Sequence, residues 1–483
     1  MLFNSVQYAF FLPVALLVYH VAPAWLRLWI LLAASWFFYA CWKPVFLVLI
    51  VLLTAINYLL GAGLEKCGER RKARMGMLWA GISMNLGVLA YFKYSGFFLQ
   101  NLEAGAGRLG IHIVTHWVSF AAPLGISFFV FEFIHYLADV SGGRPAVKSP
   151  LKFAIFAAFF PTQIAGPIKR YEDFVPQLDR PAPFRWGNIE WGLQLLIIGL
   201  FKKTVLADNL APIVARGFGG APGIGEAWLV AVAFAMQIYF DFAGYTDMGR
   251  GAALMFGYDV PVNFLRPYLA SDISLFWRRW HVSLSTWLRD YLFIPLGGSR
   301  GSLAKTTFTV LTTMVLCGLW HGANWTFVAM GFYFGVLLIV NAAWKRAIHS
   351  SRGSEKPMNP VLHAGCVLFT FSCVCVGWVF FRAEDLSQAW MMIRAMCGFH
   401  SGNAPMLDAG EREFIAVVVC GMFAVEWLVE KREAVRGWVL ARMPGIPVDV
   451  LWGALRPTVL VLLFVLSLVF QPRTGEMFIY FKF

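Results

Sequence analysis

The residues best equipped for chemistry in this 483-residue chain are two histidines set among aromatic side chains. His321 stands in Gly318-Leu319-Trp320-His321-Gly322, at the end of an apolar run that begins at Thr306. His281 follows Trp277-Arg278-Arg279-Trp280. An imidazole is the side chain best suited to take a proton from a hydroxyl near neutral pH. Glycines on both sides of His321 let a second backbone or a substrate approach closely. A plainer reading of His321 stays open, a histidine bonded to a carbonyl of a neighbouring helix. Cys317 and His321 are also four residues apart, which suits two metal ligands on one helix face. Two ligands do not make a site, and no metal is expected.

Residues 271–291, read as one helix at about 100° per residue, put Trp277, Trp280, His281, Leu284, Trp287, Leu288 and Tyr291 on one face. Arg278, Arg279, Thr286, Arg289 and Asp290 fall on the other. Ser271 or Asp272 can cap the start. His281 is then either a structural histidine in an aromatic wall or a polar group aimed into a donor-binding passage. The arginines meet either anionic headgroups or the phosphates of an acyl carrier. Asp241 and Tyr245 lie one turn apart on a shared face, without Asp247. The carboxylate pairs with a loop arginine such as Arg250 or Arg266, or it orients a catalytic imidazole as in triad-like sites. Glu132 and Asp139 form a similar buried pair. Gln163, Lys169 and Arg170 flank a broken segment where they can meet a substrate, and Asn324 follows close behind His321.

The elements that position these residues are set by composition. The chain is 59% hydrophobic and 17% aromatic but only 14% charged, with a mean hydropathy of +0.65. Soluble domains carry roughly 25% charged residues, so this chain lacks the surface to live in water. Continuous apolar runs of membrane-crossing length recur throughout, and in lipid the backbone must satisfy its own hydrogen bonds. The expectation is an all-α polytopic membrane protein with about 11–13 transmembrane helices. Expected spans are 5–22, 24–41, 44–63, 76–98, 117–140, 190–207, 226–246, 306–321, 324–345, 359–381, 412–429 and 455–471. Segment 151–168, interrupted by Pro161 and Gly166-Pro167, is expected to be re-entrant or broken, and broken backbone at this depth walls a cavity or sits within protein. Segments 266–300 and 382–397 are amphipathic and interfacial. With Lys305 at the membrane boundary, His321 lies about 24 Å along its helix, inside the ~30 Å core. An ionisable residue at that depth is costly unless it faces a cavity or a partner, and is a functional candidate by default.

The net charge is +13 and the pI near 9.4. The basic residues cluster between apolar runs, which is the positive-inside pattern and not a nucleic-acid footprint. Lys66, Arg70, Arg71, Lys72 and Arg74 place their loop in the cytoplasm and the N-terminus outside. The first span is expected to be retained, since no small-residue cleavage site follows it. The eight cysteines (41, 67, 317, 366, 373, 375, 397 and 420) have no metal or redox spacing and are expected as buried free thiols. No repeat or low-complexity tail divides the chain, so 1–483 is expected as one domain. No GxSxG elbow, P-loop or Rossmann fingerprint occurs in a credible context, which removes the commonest hydrolase and nucleotide readings.

Taken together, the runs Pro123–Phe129, Ala165-Gly166-Pro167-Ile168, Tyr239–Asp247, Phe276–Tyr291 and Gly318–Ala323 resemble the membrane-bound O-acyltransferase family. The likeness is closest to its bacterial polysaccharide branch, which O-acetylates alginate or cellulose. Phe380–Glu384 and the terminal Phe478–Phe483 are also family-like, and the segment holding His281 is the most specific. The resemblance implies helices tilted around a central passage, with His321 at the catalytic position and His281 at the second signature position, on the cytosolic side. It implies an acyl thioester such as acetyl-CoA as cytosolic donor, with no bound cofactor. The acceptor hydroxyl would belong to a periplasmic acetyltransferase partner or to the exopolysaccharide, at a bacterial inner membrane. D-alanyl transfer to teichoic acid is the nearest alternative within the family. A transporter lined by Asp241, Glu132 and the broken helix is the alternative outside it.

Overall fold

The computed structural model describes residues 1–483 apart from 112–121, 165, 180–182, 221, 350–358, 400–405, 435, 437–447, 473–477 and 480–483. The first residues of the predicted span 117–140, Ala165, and residues 480–483 of the terminal motif therefore lie outside the described residues. Among the described residues every regular element is a helix. In chain order they are α1 (Val6–Val21), α2 (Ala24–Ala40), α3 (Pro44–Lys66), α4 (Arg71–Leu89), α5 (Ser95–Arg108), α6 (Ile126–Ser141), α7 (Pro150–Ala158), α8 (Phe160–Gln163), α9 (Tyr171–Phe174) and α10 (Trp186–Phe201). There follow α11 (Asp208–Gly219), α12 (Ile224–Met255), α13 (Ile273–Arg279), α14 (Val282–Leu288), α15 (Leu303–His321), α16 (Trp325–His349), α17 (Pro360–Arg382), α18 (Leu386–Met396), α19 (Ala409–Glu430) and α20 (Val448–Val469).

Among the described residues six helical runs are long and apolar enough to cross a membrane: α3, the continuous stretch Arg71–Arg108, α12, α15, Trp325–Ala347 and α17. Val6–Val21, Ala24–Ala40 and Leu455–Val469 are shorter apolar helices beside them. Phe10, Leu17, Trp25, Val45, Leu59 and Trp79 are each more than half exposed. In water such a belt would drive association; facing lipid tails, it is the surface a polytopic membrane protein requires. The central post is α12. Its most apolar stretch is 78% buried, against 17% to 33% for α3, Arg71–Arg108, α15 and Trp325–Ala347. It runs on to Met255, beyond the predicted end of its span at 246, because Tyr245, Met248, Ala252 and Ala253 remain in the core.

One face of the molecule carries the basic loop after α3, and ion pairs gather there. Glu65 meets Lys148, Arg170 meets Asp290 (2.6 Å) and Lys345 meets Asp272 (2.9 Å). We call this the basic face. At the far face, Glu226 at the start of α12 meets Arg412 (3.0 Å). The predicted broken segment is present: α7 enters, the backbone breaks at Phe159, and α8 ends near Gly166-Pro167. Helix α18 confirms an amphipathic element within 382–397, with Ala389, Met392, Ala395 and Met396 inward and Trp390 outward.

Two sequence expectations need correction. Residues 271–291 are not one helix: α13 and α14 are separate, and a π-helical turn covers Arg289–Phe293. The buried thiols are only Cys317 and Cys375. Cys41, Cys397 and Cys420 are exposed, because an apolar run in a membrane protein also has a lipid-facing side.

Helices α15 and α16 form the tight pair that carries His321. A Cβ added at Gly318 would sit 2.1 Å from the Phe327 carbonyl oxygen, and one at Gly331 would sit 2.2 Å from that of Met314. The two backbones touch, as small residues permit between membrane helices.

Candidate active site

Helix α15 starts where the Ser302 hydroxyl accepts from the Lys305 N–H (3.3 Å). It ends at His321, because Gly322 is fully extended (φ −164°, ψ 152°). The last carbonyls of a helix have no partner within it. Here two consecutive residues of the π-helical turn Ala90–Tyr94 supply them. The Tyr94 hydroxyl donates to Leu319 O (2.9 Å), and the Lys93 ammonium donates to Trp320 O (2.6 Å) and His321 O (3.0 Å). A cation at a helix C-terminus also meets the negative end of the helix dipole. The imidazole of His321 is 4% exposed, with its ring centroid 5.0 Å from that of Trp320 and 5.4 Å from that of Phe381.

His281 is held differently. Asp272 caps α13 by accepting from the N–H groups of Ser274 (2.9 Å) and Leu275 (3.0 Å). The helix stops at Trp280, and His281 adopts a left-handed conformation (φ 43°, ψ 56°) before α14 begins. For a residue with a Cβ this costs on the order of 1–2 kcal/mol, so the surroundings must impose it. Asn263 does so. Its carbonyl accepts from the Val282 N–H (3.0 Å), and its side-chain oxygen accepts from the Ser283 hydroxyl (2.7 Å). Ser283 in turn accepts from the Ile168 N–H (3.0 Å), which ties the break to the re-entrant segment. The imidazole is fully buried, edge-on to Phe242 (4.6 Å), and neither ring nitrogen has a hydrogen-bond partner among the described residues. Burial pushes the His281 pKa down to about 3, so the ring is neutral at ordinary pH.

The two histidines meet at one indole. Trp320 lies 5.0 Å from the His321 ring and 6.1 Å from that of His281. Phe131, stacked on Trp287 (3.8 Å, 1°), also stacks on Trp320 (5.3 Å). Beyond His321, towards the far face, a cavity of about 550 Å³ is lined by Lys93, Gln237, Gly322, Asn324, Arg382 and Ile479. Asn324 shapes its rim: the amide donates to Glu384 O (2.8 Å) and the side-chain oxygen accepts from the Thr326 N–H (3.1 Å), which starts α16.

The other expected residues divide. Trp280 is packed between Trp378 (4.9 Å) and Phe264 (5.0 Å), whereas Trp277 is half-buried and edge-on to Phe334 (5.2 Å). Arg279 pairs with Glu430 (3.4 Å) beside Arg266, and exposed Arg278 donates to Ser274 O (3.3 Å). Gln163 is 3% exposed, and neither end of its amide has a hydrogen-bond partner among the described residues. Asp241 pairs with neither Arg250 nor Arg266. Its carboxylate takes Lys203 (2.7 Å), which also binds Asp208 (2.7 Å), and accepts from the Ile479 N–H (2.7 Å). Lys203 lies on a third π-helical turn, Lys202–Ala207, a departure from α-helix that composition does not announce. Tyr245 donates to Asn4 (3.3 Å) and packs on Phe478 (4.4 Å). Glu132 and Asp139 go separate ways, to Lys169 (2.7 Å) and to the Tyr291 hydroxyl (2.9 Å). Among the described residues no third His, Cys, Asp or Glu joins Cys317 and His321 as a metal set.

Sequence reasoning passed over Lys93, Tyr94 and Gln237, and met Arg382 only within the family-like run Phe380–Glu384. For Lys93 a signal was there: it is a lysine inside the predicted span 76–98, and an ionisable residue in a span is a functional candidate by default.

The chain belongs to the membrane-bound O-acyltransferase family, whose pattern (MBOAT) its residues 76–381 match. It is 41% identical over 424 residues to a probable alginate O-acetylase of Azotobacter vinelandii, covering 87% of this chain and 82% of that protein. It is 35% identical over 453 residues to the peptidoglycan O-acetyltransferase of Helicobacter pylori, covering 86% and 83%. A teichoic acid D-alanyltransferase of Streptococcus thermophilus is 28% identical over 299 residues, covering 55% of this chain and 69% of that one. The protein is thus a multi-pass membrane O-acyltransferase.

Proposed function

We propose that this enzyme moves acetyl groups from a cytosolic thioester, acetyl-CoA or another acyl carrier, across a bacterial inner membrane for O-acetylation of an exopolysaccharide. The transfer is made directly or through a periplasmic partner. The observation that carries the reading is the seat of His321: an imidazole on the last residue of a membrane helix, fixed from outside the helix, with a cavity lined by Lys93 and the adjacent Gly322. The relatives named as alginate and peptidoglycan O-acetylating proteins support acetyl as the group and a glycan as its destination. The positive-inside rule supports the basic face as cytosolic.

In this mechanism His321 takes the proton of an acceptor hydroxyl as its oxygen attacks the thioester carbonyl. The tetrahedral intermediate collapses, the carbon–sulfur bond breaks, and the thiolate leaves with the proton returned from the imidazolium. Neutral, buried His281 shares the Trp320 wall on the donor side. Trp277, Trp280, Arg278 and Arg279 border the donor's route, and Asn324 borders the acceptor's. Transient acetylation of His321 is the covalent variant of the same chemistry.

The test is transfer of radiolabel from [14C]acetyl-CoA into exopolysaccharide by the purified chain supplemented with periplasmic extract. His321→Ala is expected to lower it by about 10²–10⁴-fold while remaining folded and in the membrane. Wild-type transfer in that variant would remove the central claim. Incorporation of D-alanine in place of acetate would move the enzyme to the teichoic-acid branch, and no transfer of either would favour a transporter.

A further inference from the structure

We propose that Lys93 is a positioning residue for acyl transfer, one that sets the direction of the His321 side chain by holding both peptide groups that flank its Cα. The inference rests on the reading of His321 as the base. The Lys93 ammonium donates to Trp320 O, in the peptide that precedes His321, and to His321 O, in the peptide that follows it. Two fixed peptide planes determine φ and ψ of the residue between them, and hence where its Cβ points. The helix itself can hold the preceding peptide through the His321 N–H, but it cannot hold the peptide that follows. Beyond His321 the backbone is extended at Gly322, so the residues that would have hydrogen-bonded these carbonyls in a continuing helix are missing.

The partners of Lys93 set it apart from the other lysines in the interior. Lys169 pairs with Glu132, Lys202 with Asp247, and Lys203 with Asp208 and Asp241. Lys93 forms no ion pair among the described residues. Its charge is balanced by backbone carbonyls at a helix C-terminus and by the face of the Trp320 ring, 5.9 Å away. The turn that presents it is π-helical, a local cost often met at functional sites. The next residue, Tyr94, fixes the preceding carbonyl, Leu319 O, so three successive carbonyls are held from one turn. A helix end that needed only termination could be capped by water or by a single neutral group. Rigid support on both sides of one residue is what a reacting side chain requires, because misplacement by about 1 Å can lower a rate about 10²-fold.

The experiment compares wild type with Lys93→Met, Lys93→Arg, Tyr94→Phe and His321→Ala. All are full chains in nanodiscs, with [14C]acetyl-CoA as probe donor and exopolysaccharide plus periplasmic extract as acceptor. Lys93→Met is expected to lower kcat about 10²-fold with KM for acetyl-CoA changed less than about threefold. Lys93→Arg, whose guanidinium can donate to both carbonyls, is expected to recover to within about tenfold of wild type. Tyr94→Phe should lose severalfold in kcat alone. Wild-type kcat in Lys93→Met, or a rise in KM with kcat unchanged, overturns the proposal. If Lys93→Met does not fold, Lys93→Gln, whose shorter neutral amide cannot hold both carbonyls, carries the test, and a wild-type kcat there overturns it. His321→Ala separates the two levels: if it stays active the base assignment fails, and if it is dead while Lys93→Met is normal only the positioning role fails.

Discussion

The two histidine seats use opposite structural means around a shared tryptophan. His321 closes a regular helix, its backbone is pinned by side chains from a distant turn, and a cavity lies beside it. His281 interrupts a helix in a strained left-handed conformation, its backbone is pinned by Asn263, and aromatic rings close over it. Residue type and aromatic surroundings are alike in the two seats. Access differs, and so does the kind of rigidity. The His321 seat borders a cavity at the adjacent Gly322, whereas the His281 seat keeps a neutral ring in a fixed wall.

The contrast breaks most readily at the backbone contact behind His321. A methyl group at Gly318 would lie 2.1 Å from the Phe327 carbonyl oxygen and 3.0 Å from its carbon, both backbone atoms of α16. The helices must part to admit it. Gly318→Ala is expected to lower acetyl transfer about 10²-fold and to destabilise the protein by about 1–3 kcal/mol. Acetylation and thermal unfolding of the purified variant check this. Full activity would mean that the His321 seat does not depend on the α15–α16 contact.

A smaller effect is expected at the other seat. Asparagine tolerates the left-handed conformation better than other residues with a Cβ, so His281→Asn should keep the break between α13 and α14. Transfer from [14C]acetyl-CoA is expected to fall roughly tenfold, equivalent to about 1.4 kcal/mol in the barrier. A loss as deep as that of His321→Ala would make His281 a second reacting group and erase the distinction between the seats.

Much of this was legible in the sequence, and the gaps share a cause. Continuous apolar runs with few charges announce membrane helices, and Pro161 with Gly166-Pro167 announces the re-entrant break, because both are local properties of the chain. The pairing of α15 with α16 through Gly318 was readable as glycines beside a histidine. The break at His281 was not: no glycine or proline marks it, and its cause is Asn263, eighteen residues upstream, together with Ile168 in the re-entrant segment. Asp241 was matched to arginines near in sequence, while its partner Lys203 sits on another helix and was brought in by a π-helical turn. Lys93 was visible as a lysine within a span, yet its role depends on carbonyls more than two hundred residues away. Periodicity reports what a helix buries. It does not report which carbonyl a distant side chain will reach.

The smallest effect concerns pH and tests whether the His281 seat is dry. In the folded chain burial holds this imidazole neutral down to about pH 3, whereas in the unfolded chain it protonates near its ordinary value of 6.5. Between those values the unfolded state binds the extra proton, so stability rises with pH across the window. The contribution of the neutral ring is complete above about pH 6.5 and declines as the pH falls towards 3. His281→Asn cannot take up that proton in either state. The drop in unfolding temperature between pH 7 and pH 4.5 is therefore expected to be larger for wild type than for His281→Asn, each measured on the detergent-solubilised full chain. Equal drops would show that His281 titrates in the fold as it does in water. Its seat would then be open to solvent, and the difference in access drawn between the two histidines would disappear.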